Sequence, residues 1–369
     1  MNPSCSAKKS GAVLRAKGEC SIMGLSAGNS AVPVFSPCPA GTAPARRSKM
    51  ARTMIAVFPG LPEEYAARIR EAAEKHGFLC RFFRNTAEAL PHAADAEIIL
   101  GTNPALSRNA PALRWFSSLF AGTDPFMAPD AFANPSALLT SSSGAYGVTI
   151  SEHLVMVILE VLRRQPEYLE HLRNREWVRR LPVRSIRGSR LTLLGTGNIG
   201  QEAARRLRGF DPAGIIGVNR SGKNPGGLFD RVLTADALDG VLPETDILVI
   251  SLPGTRDAFH MISEHRLKLL PDDALVVNVG RGSVVDQAAL EKELRNGRLS
   301  ASLDVFEQEP VPPESTLWTC PRLVITPHIA GDLSLPYTVT RIVEQFLENL
   351  ESYCAGRPLA HLVDREAGY

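Results

Sequence analysis

The residues with the clearest chemical purpose are three glycines and the basic stretch that follows them. In "LTLLGTGNIGQEAARRLRGF", Gly195, Gly197 and Gly200 fall into the pattern G-x-G-x-x-G, between an apolar strand and an amphipathic helix. One glycine permits a tight turn, one lets backbone approach a pyrophosphate, and one allows close helix–strand packing. The helix start, Asn198 and Ile199, then offers free N–H groups and a positive dipole end to phosphate. A bare pattern of this kind also describes a merely tight turn, but strand before and helix after make it a dinucleotide site. Roughly 20 residues on, where an acid commonly holds the adenosine ribose, the chain reads "VNRSGK", that is Asn219, Arg220 and Ser221 within Val218 to Lys223. Without a carboxylate there is no like-charge repulsion of a 2′-phosphate, and a guanidinium can bind it bidentately. The stretch therefore predicts NADP(H) in preference to NAD(H), against the plainer reading of Arg220 and Lys223 as solvated loop charges.

Such a site needs an α/β scaffold. From Thr53, "TMIAVFPG", "LCRFF", "AEIILGT" and "LRWFSSLFAG" read as apolar strands closed by turn residues. "PEEYAARIREAAEKHGF" has Pro at its start, acids in its first turn and Gly77 beyond its end, the punctuation of a helix. A long helix begins near Val148 and runs on into the charged "QPEYLEHLRNREWVRR". From Leu191 a second, more regular series follows: "LTLLG", "AGIIGVN", "DILVISLPG", "ALVVNVGRG" and "LVITPH". Leu252 and Pro253 stand where a strand ends, on the side where open α/β sheets bind ligands. Strands separated by helices predict parallel βαβ units. The expected organisation is a leader at residues 1–50, a substrate domain at 51–148 plus 333–369, and a nucleotide domain at 149–332.

Three further segments, "VVNVGRGSVVD" (Val276 to Asp286), "ASLDVFEQEP" (Ala301 to Pro310) and "ITPHIAG" (Ile325 to Gly331), follow the "GTGNIG" turn in order. Together they resemble the D-isomer-specific 2-hydroxyacid dehydrogenase family, and the likeness runs from about Thr53 to the C-terminus. "SSLFAGTD" and "PPESTLWTCPRLVITPH" look most like its glyoxylate/hydroxypyruvate reductase branch. The resemblance implies two Rossmann-like domains, a flavodoxin-like substrate domain and an NAD(P)-binding Rossmann domain, facing each other across an interdomain cleft. It implies reduction of a small 2-keto acid by hydride transfer, with His328 as proton donor, Glu309 as the partner that keeps its imidazolium charged, and Arg281 as anchor of the substrate carboxylate. An imidazole suits the first role because it titrates near neutrality, and a guanidinium suits the last. By the same resemblance Val279 and Asp304 would stand near the nicotinamide, Leu252 and Pro253 would line the cofactor side of the cleft, and backbone at Ala121 and Gly122 would hold substrate. Singly, each has a plain structural reading: a loop cap, a solvent-facing Glu, a structural ion pair. Their joint order favours function.

The loop "SSLFAGTDPF" contains no Lys or Arg, which argues against a phosphorylated substrate, and Phe120 and Phe126 suggest an apolar wall. Rival readings are a dinucleotide-sensing corepressor-like protein and a related NAD-linked dehydrogenase such as phosphoglycerate dehydrogenase. A formal net charge of +2, with 44% hydrophobic and 22% charged residues, gives no general field for nucleic acid or membrane. No apolar run approaches the ~18 residues that span a bilayer. The six cysteines form no C-x-x-C pair and no zinc spacing with histidine, so no metal is expected. A homodimer is expected through the nucleotide domains, with "EYLEHLRNREWVRR" in the contact, and a cytoplasmic location. The leader, basic and rich in Ser, Ala, Gly and Pro, reads as disordered, as preceding a true start at Met50 or Met54, or as an organelle transit peptide.

Overall fold

A computed structural model describes residues 52–366, so the expectations for the leader lie outside the described residues. Five strands make the first sheet: β1 (Arg52–Val57), β2 (Phe78–Phe83), β3 (Ala96–Gly101), β4 (Trp115–Ser118) and β5 (Leu138–Thr140). Seven make the second: β6 (Arg190–Leu194), β7 (Gly214–Val218), β8 (Arg231–Leu233), β9 (Ile247–Ile250), β10 (Leu275–Asn278), β11 (Ser300–Leu303) and β12 (Leu323–Ile325). All neighbouring pairs are parallel. Several strands are uninterrupted apolar runs because helices cover both faces, the usual condition of a parallel sheet. The expected α/β class holds, and both sheets are of the doubly wound, Rossmann-like kind.

The first sheet has the order β2-β1-β3-β4-β5, that of flavodoxin-like folds. In the second, the order is β12-β11-β10-β9-β6-β7-β8. The chain builds outward from β6 to β8, then returns to lay β9 on the other side of β6. That reversal opens a crevice between the C-terminal ends of β6 and β9, where open α/β sheets bind ligands. The glycine turn follows β6, and the stretch containing Leu252 and Pro253 follows β9.

The long helix, Gly147–Leu162, ties the two sheets together. Its buried residues Leu154, Val157 and Ile158 share one core cluster with Met54, Ile98 and Trp115 of the first sheet and Leu193, Val249 and Val277 of the second. Strand alternation sends the intervening residues to the outer faces. Ile55, Ile99 and Phe116 pack there in the first sheet, and Leu194, Leu248 and Ile250 in the second. The helix does not run on into the charged stretch. Arg164 takes a left-handed φ of 57°, and a separate helix, Gln165–Arg173, starts with Pro166 in its first turn. Proline has no N–H to continue a helix and disfavours helical conformation before it.

The C-terminal helix, Pro336–Cys354, returns to the first sheet. The fully buried Trp115 stacks on its Phe346 and Tyr353, with ring centroids 5.2 and 5.6 Å away. Beyond it, Leu362 forms an antiparallel bridge with Thr140 of β5.

Candidate active site

The glycine turn has the shape a dinucleotide requires. Gly195 takes φ +100°, and a Cβ on Gly200 would lie 2.0 Å from the Gly195 carbonyl oxygen, so β6 turns tightly into the helix Asn198–Arg208. A Cβ on Gly197 would meet nothing within 4 Å, which leaves open space before the helix N-terminus. Bare backbone opening on a helix start suits a pyrophosphate. Asn219 serves a purpose that spacing alone did not suggest. Its Nδ2 donates to Thr196 Oγ1 at 2.6 Å and to the Lys223 carbonyl at 2.9 Å, while its Oδ1 accepts from the Ser221 and Gly222 N–H groups at 3.0 and 2.7 Å. It therefore ties the loop after β7 to the glycine turn, with Arg220 and Ser221 exposed at the loop's tip.

Arg281 follows β10 between two glycines, and packing explains both. A Cβ on Gly280 would lie 2.6 Å from the Leu252 carbonyl oxygen, and one on Gly282 only 1.9 Å from the Phe306 carbonyl carbon. The arginine is thus clamped between the loops after β9 and β11. Buried Asn278 closes the turn, accepting from Gly280 N–H at 3.0 Å and donating to the Arg281 carbonyl at 2.9 Å. Val279 is buried beside it, its N–H on the Ile250 carbonyl at 3.0 Å.

The loop after β4 faces this arginine. Tyr146 donates to the Leu119 carbonyl at 2.6 Å and Ser142 to the Ser118 carbonyl at 2.7 Å, which fixes the backbone leading to Ala121 and Gly122. Among the described residues, neither the Ala121 nor the Gly122 N–H finds an acceptor. Arg281 Nε and Nη2 donate to Oδ2 of Asp124 at 3.1 and 2.8 Å, and Nη1 to the Gly280 carbonyl at 2.7 Å. Burial pushes the Asp124 carboxyl up, but the hydrogen bond and charge of Arg281 outweigh it and hold the group below its ordinary range; His328 acts in the same direction. A cavity of about 150 Å³ lies between the two halves, lined by Ala121, Tyr146, Gly197, Asn198, Ile199 and Ser251.

His328 and Glu309 meet although 19 positions separate them: Nδ1 lies 2.6 Å from Glu309 Oε2. The other carboxylate oxygen accepts from the Phe306 N–H at 2.9 Å, so the Glu309 side chain is held at both ends. His328 itself takes a left-handed φ of 54°. Its loop hangs on Asp304, a residue only 2% exposed. Asp304 Oδ1 accepts from Thr326 Oγ1 at 2.6 Å and Ile329 N–H at 2.9 Å, Oδ2 from Ala330 N–H at 3.0 Å, and the Asp304 carbonyl from His328 N–H at 2.9 Å. His153, on the long helix, reaches Thr326 Oγ1 at 3.3 Å from the other side. Burial lowers its pKa more than Asp304 raises it, which favours the neutral ring.

A profile described as "D-isomer specific 2-hydroxyacid dehydrogenase, NAD binding domain" matches residues 155–330. A glyoxylate/hydroxypyruvate reductase B of Serratia proteamaculans is 31% identical over 287 residues, covering 75% of this chain and 87% of that protein. The chain belongs to the D-isomer specific 2-hydroxyacid dehydrogenase family. Its fold matches the structure of a family protein from Aeromonas salmonicida with a TM-score of 0.75 at 32% identity, over 85% of this chain and 99% of that one. An NADPH-dependent glyoxylate/hydroxypyruvate reductase from Sinorhizobium meliloti, solved with NADP and sulfate, gives a TM-score of 0.72 at 29% identity, over 86% and 100%. The chain is accordingly an NAD(P)-dependent oxidoreductase acting on the CH–OH group of 2-hydroxy acids.

Among the residues of this family member's candidate site, Asp124 is the one sequence reasoning passed over. The loop after β4 lacks Lys and Arg but is not uncharged, and the acid two residues after Gly122 was its only signal. Asp304 has a clear structural duty whatever else it touches. Asp304→Ala is expected to lower stability by about 2–4 kcal/mol, since it strands two backbone donors and a hydroxyl in the interior. Urea unfolding monitored by circular dichroism checks this; an unchanged midpoint would mean the loop does not hang on that carboxylate.

Proposed function

We propose that this protein reduces a small 2-keto acid, such as glyoxylate or hydroxypyruvate, to the D-hydroxy acid with NADPH. The observation that carries the reading is the pairing of His328 with Glu309 at 2.6 Å, on loops at the same sheet edge as the glycine turn and Arg281. When bound, the nicotinamide supplies a hydride to the keto carbon. Arg281 holds the substrate carboxylate bidentately, and the N–H groups of Ala121 and Gly122 fix its orientation. With Nδ1 engaged by Glu309, His328 presents Nε2 to the carbonyl oxygen and delivers the proton that balances the hydride. The neutral imidazole left behind keeps its Nδ1 proton on the Glu309 carboxylate. Asp304, Val279, Leu252 and Pro253 shape the wall between His328 and the glycine turn.

Turnover is tested by the loss of NADPH absorbance with glyoxylate, hydroxypyruvate and longer 2-keto acids, alongside NADH. His328→Gln is expected to lower kcat by about 10²–10⁴-fold, with NADPH binding retained. Tight dinucleotide binding by the wild type without turnover of any keto acid would instead favour a dinucleotide sensor.

The preference for NADPH rests on Arg220 and Ser221 at the tip of the loop that Asn219 holds. Arg220→Ala is expected to raise KM for NADPH at least tenfold more than KM for NADH, a difference worth about 1.4 kcal/mol. Equal effects on both cofactors would place Arg220 outside the phosphate site.

We also infer a homodimer. Leu169, Leu172 and Val183 are exposed along residues 165–184, and Trp177 is 80% exposed, an apolar patch of the kind that marks an interface. A larger cavity of about 540 Å³ opens beside it, with Arg164, Arg184 and Arg322 on its wall, away from Arg281. Trp177→Glu is expected to shift the mass measured by light scattering from dimer toward monomer, and an unaltered mass would remove this stretch from the contact. The cysteines Cys80, Cys320 and Cys354 are unpaired, which supports a reducing, cytoplasmic location.

A further inference from the structure

Asp124 has no part in the chemistry just described, yet it holds the guanidinium that would anchor the substrate. Its backbone is fixed. It opens the short helical turn Asp124–Phe126, with the Phe126 N–H on the Thr123 carbonyl at 2.9 Å and the Met127 N–H on its own carbonyl at 3.1 Å. Phe126, 2% exposed, packs against Phe116 with ring centroids 4.7 Å apart. On the far side lies the loop after β9, where a Cβ on Gly254 would come within 3.2 Å of Asp124 Oδ1, so glycine there leaves room for the carboxylate. The carboxylate therefore remains beside Arg281 when a substrate carboxylate arrives. Two ion pairs make up the charge of this part of the site, Asp124 with Arg281 and Glu309 with His328.

We propose that Asp124 is a specificity-determining residue, a fixed negative charge that admits 2-keto acids with one carboxylate and opposes those with a second anionic group. The inference rests on the reading of Arg281 as the carboxylate anchor. The guanidinium offers several donors, so it can share itself between Asp124 and one substrate carboxylate. The two ion pairs cancel before substrate arrives, so a bound monocarboxylate already leaves one net negative charge and a second carboxylate adds another. A second carboxylate on the substrate finds no further cation in the loop Ser117 to Phe126. With the first carboxylate on Arg281, a second one on a small substrate would stand within about one Debye length of Asp124. Placement, not pKa, makes the filter.

The test compares the dianion 2-oxoglutarate with the monocarboxylate 2-oxohexanoate, and includes glyoxylate, at saturating NADPH. Asn keeps the size and one acceptor oxygen of Asp, so Asp124→Asn removes charge while a hydrogen bond to Arg281 can persist. The wild type is expected to favour 2-oxohexanoate over 2-oxoglutarate in kcat/KM. Asp124→Asn is expected to reduce that ratio about tenfold, the order of one charge interaction at an effective dielectric near 20–40, whereas Asp124→Glu retains it. A purely structural role would change kcat/KM for both acids alike and leave the ratio unmoved. A ratio unchanged in Asp124→Asn, or a wild type that already prefers 2-oxoglutarate, overturns the filter while glyoxylate turnover keeps the underlying reading intact. A wild type that reduces no 2-keto acid removes that reading, and the filter with it.

Discussion

The Asp304 carboxylate is the fixed point on which the nucleotide-side half of the site depends. A buried carboxylate is tolerated only when donors surround it, and here a hydroxyl and two backbone N–H groups do so. All three donors come from residues 326–330, so satisfying one side chain dictates the path of the loop that carries His328. A non-glycine residue at φ 54° is disfavoured by roughly 1–2 kcal/mol, and the loop's bonds to Asp304 outweigh that strain. The imidazole is aimed by a buried residue at the end of β11, and Glu309 then fixes its rotation.

The neighbouring loops are held by contact. Gly280 and Gly282 bring the loop of Arg281 within van der Waals distance of the loops after β9 and β11, and no side chain fits in either gap. A functional group must be held within a few tenths of an ångström to be effective, and loops reach that stiffness only by packing on one another. The sheet order supplies the crowding. Adjacent parallel strands, β9, β10 and β11, release their loops at the same edge, so Leu252, Arg281, Asp304 and Glu309 come close despite wide separation in the chain.

Much of this was legible beforehand because strands and helices here obey local rules. β6, β9 and β10 are apolar runs closed by glycine or proline, and the glycine turn announces the helix after β6. The strands β5, β8 and β11 escaped notice. β5 and β8 have three residues each, and β8 lies at a sheet edge with the sequence "RVL", while β11, "SASL", is half serine, so none offers the apolar four-to-eight-residue pattern by which strands are read. The break at Arg164 is visible in Pro166, yet the charged helix beyond it hid that signal. In the site, the resemblance pointed to His328 and Arg281 and their residue types agreed with it, whereas the pairing of Arg281 with Asp124 is a tertiary contact across 157 positions with no local signature. Asn219 shows the same limit from the other side: spacing marked the position, and only the fold showed that its amide ties the loop to Thr196.

The two ion pairs of the site differ in the way their uses require. His328 and Glu309 sit on loops whose backbones are held by buried groups, Asp304 for the first and the Phe306 N–H for the second. Asp124 and Arg281 meet between the halves of the molecule with the carboxylate exposed, and exposed ion pairs of this kind contribute only about 0–1 kcal/mol. Arg281 keeps N–H donors beyond those on Asp124 and the Gly280 carbonyl, so a second carboxylate can bind without displacing the first. The long helix Gly147–Leu162 contributes to one continuous core shared by both sheets, and cores of close-packed side chains resist shear. The two pairs are about equally exposed, so what separates them is their backbone: Glu309 is held by the Phe306 N–H and the His328 loop by buried Asp304, whereas Asp124 and Arg281 meet across the two halves.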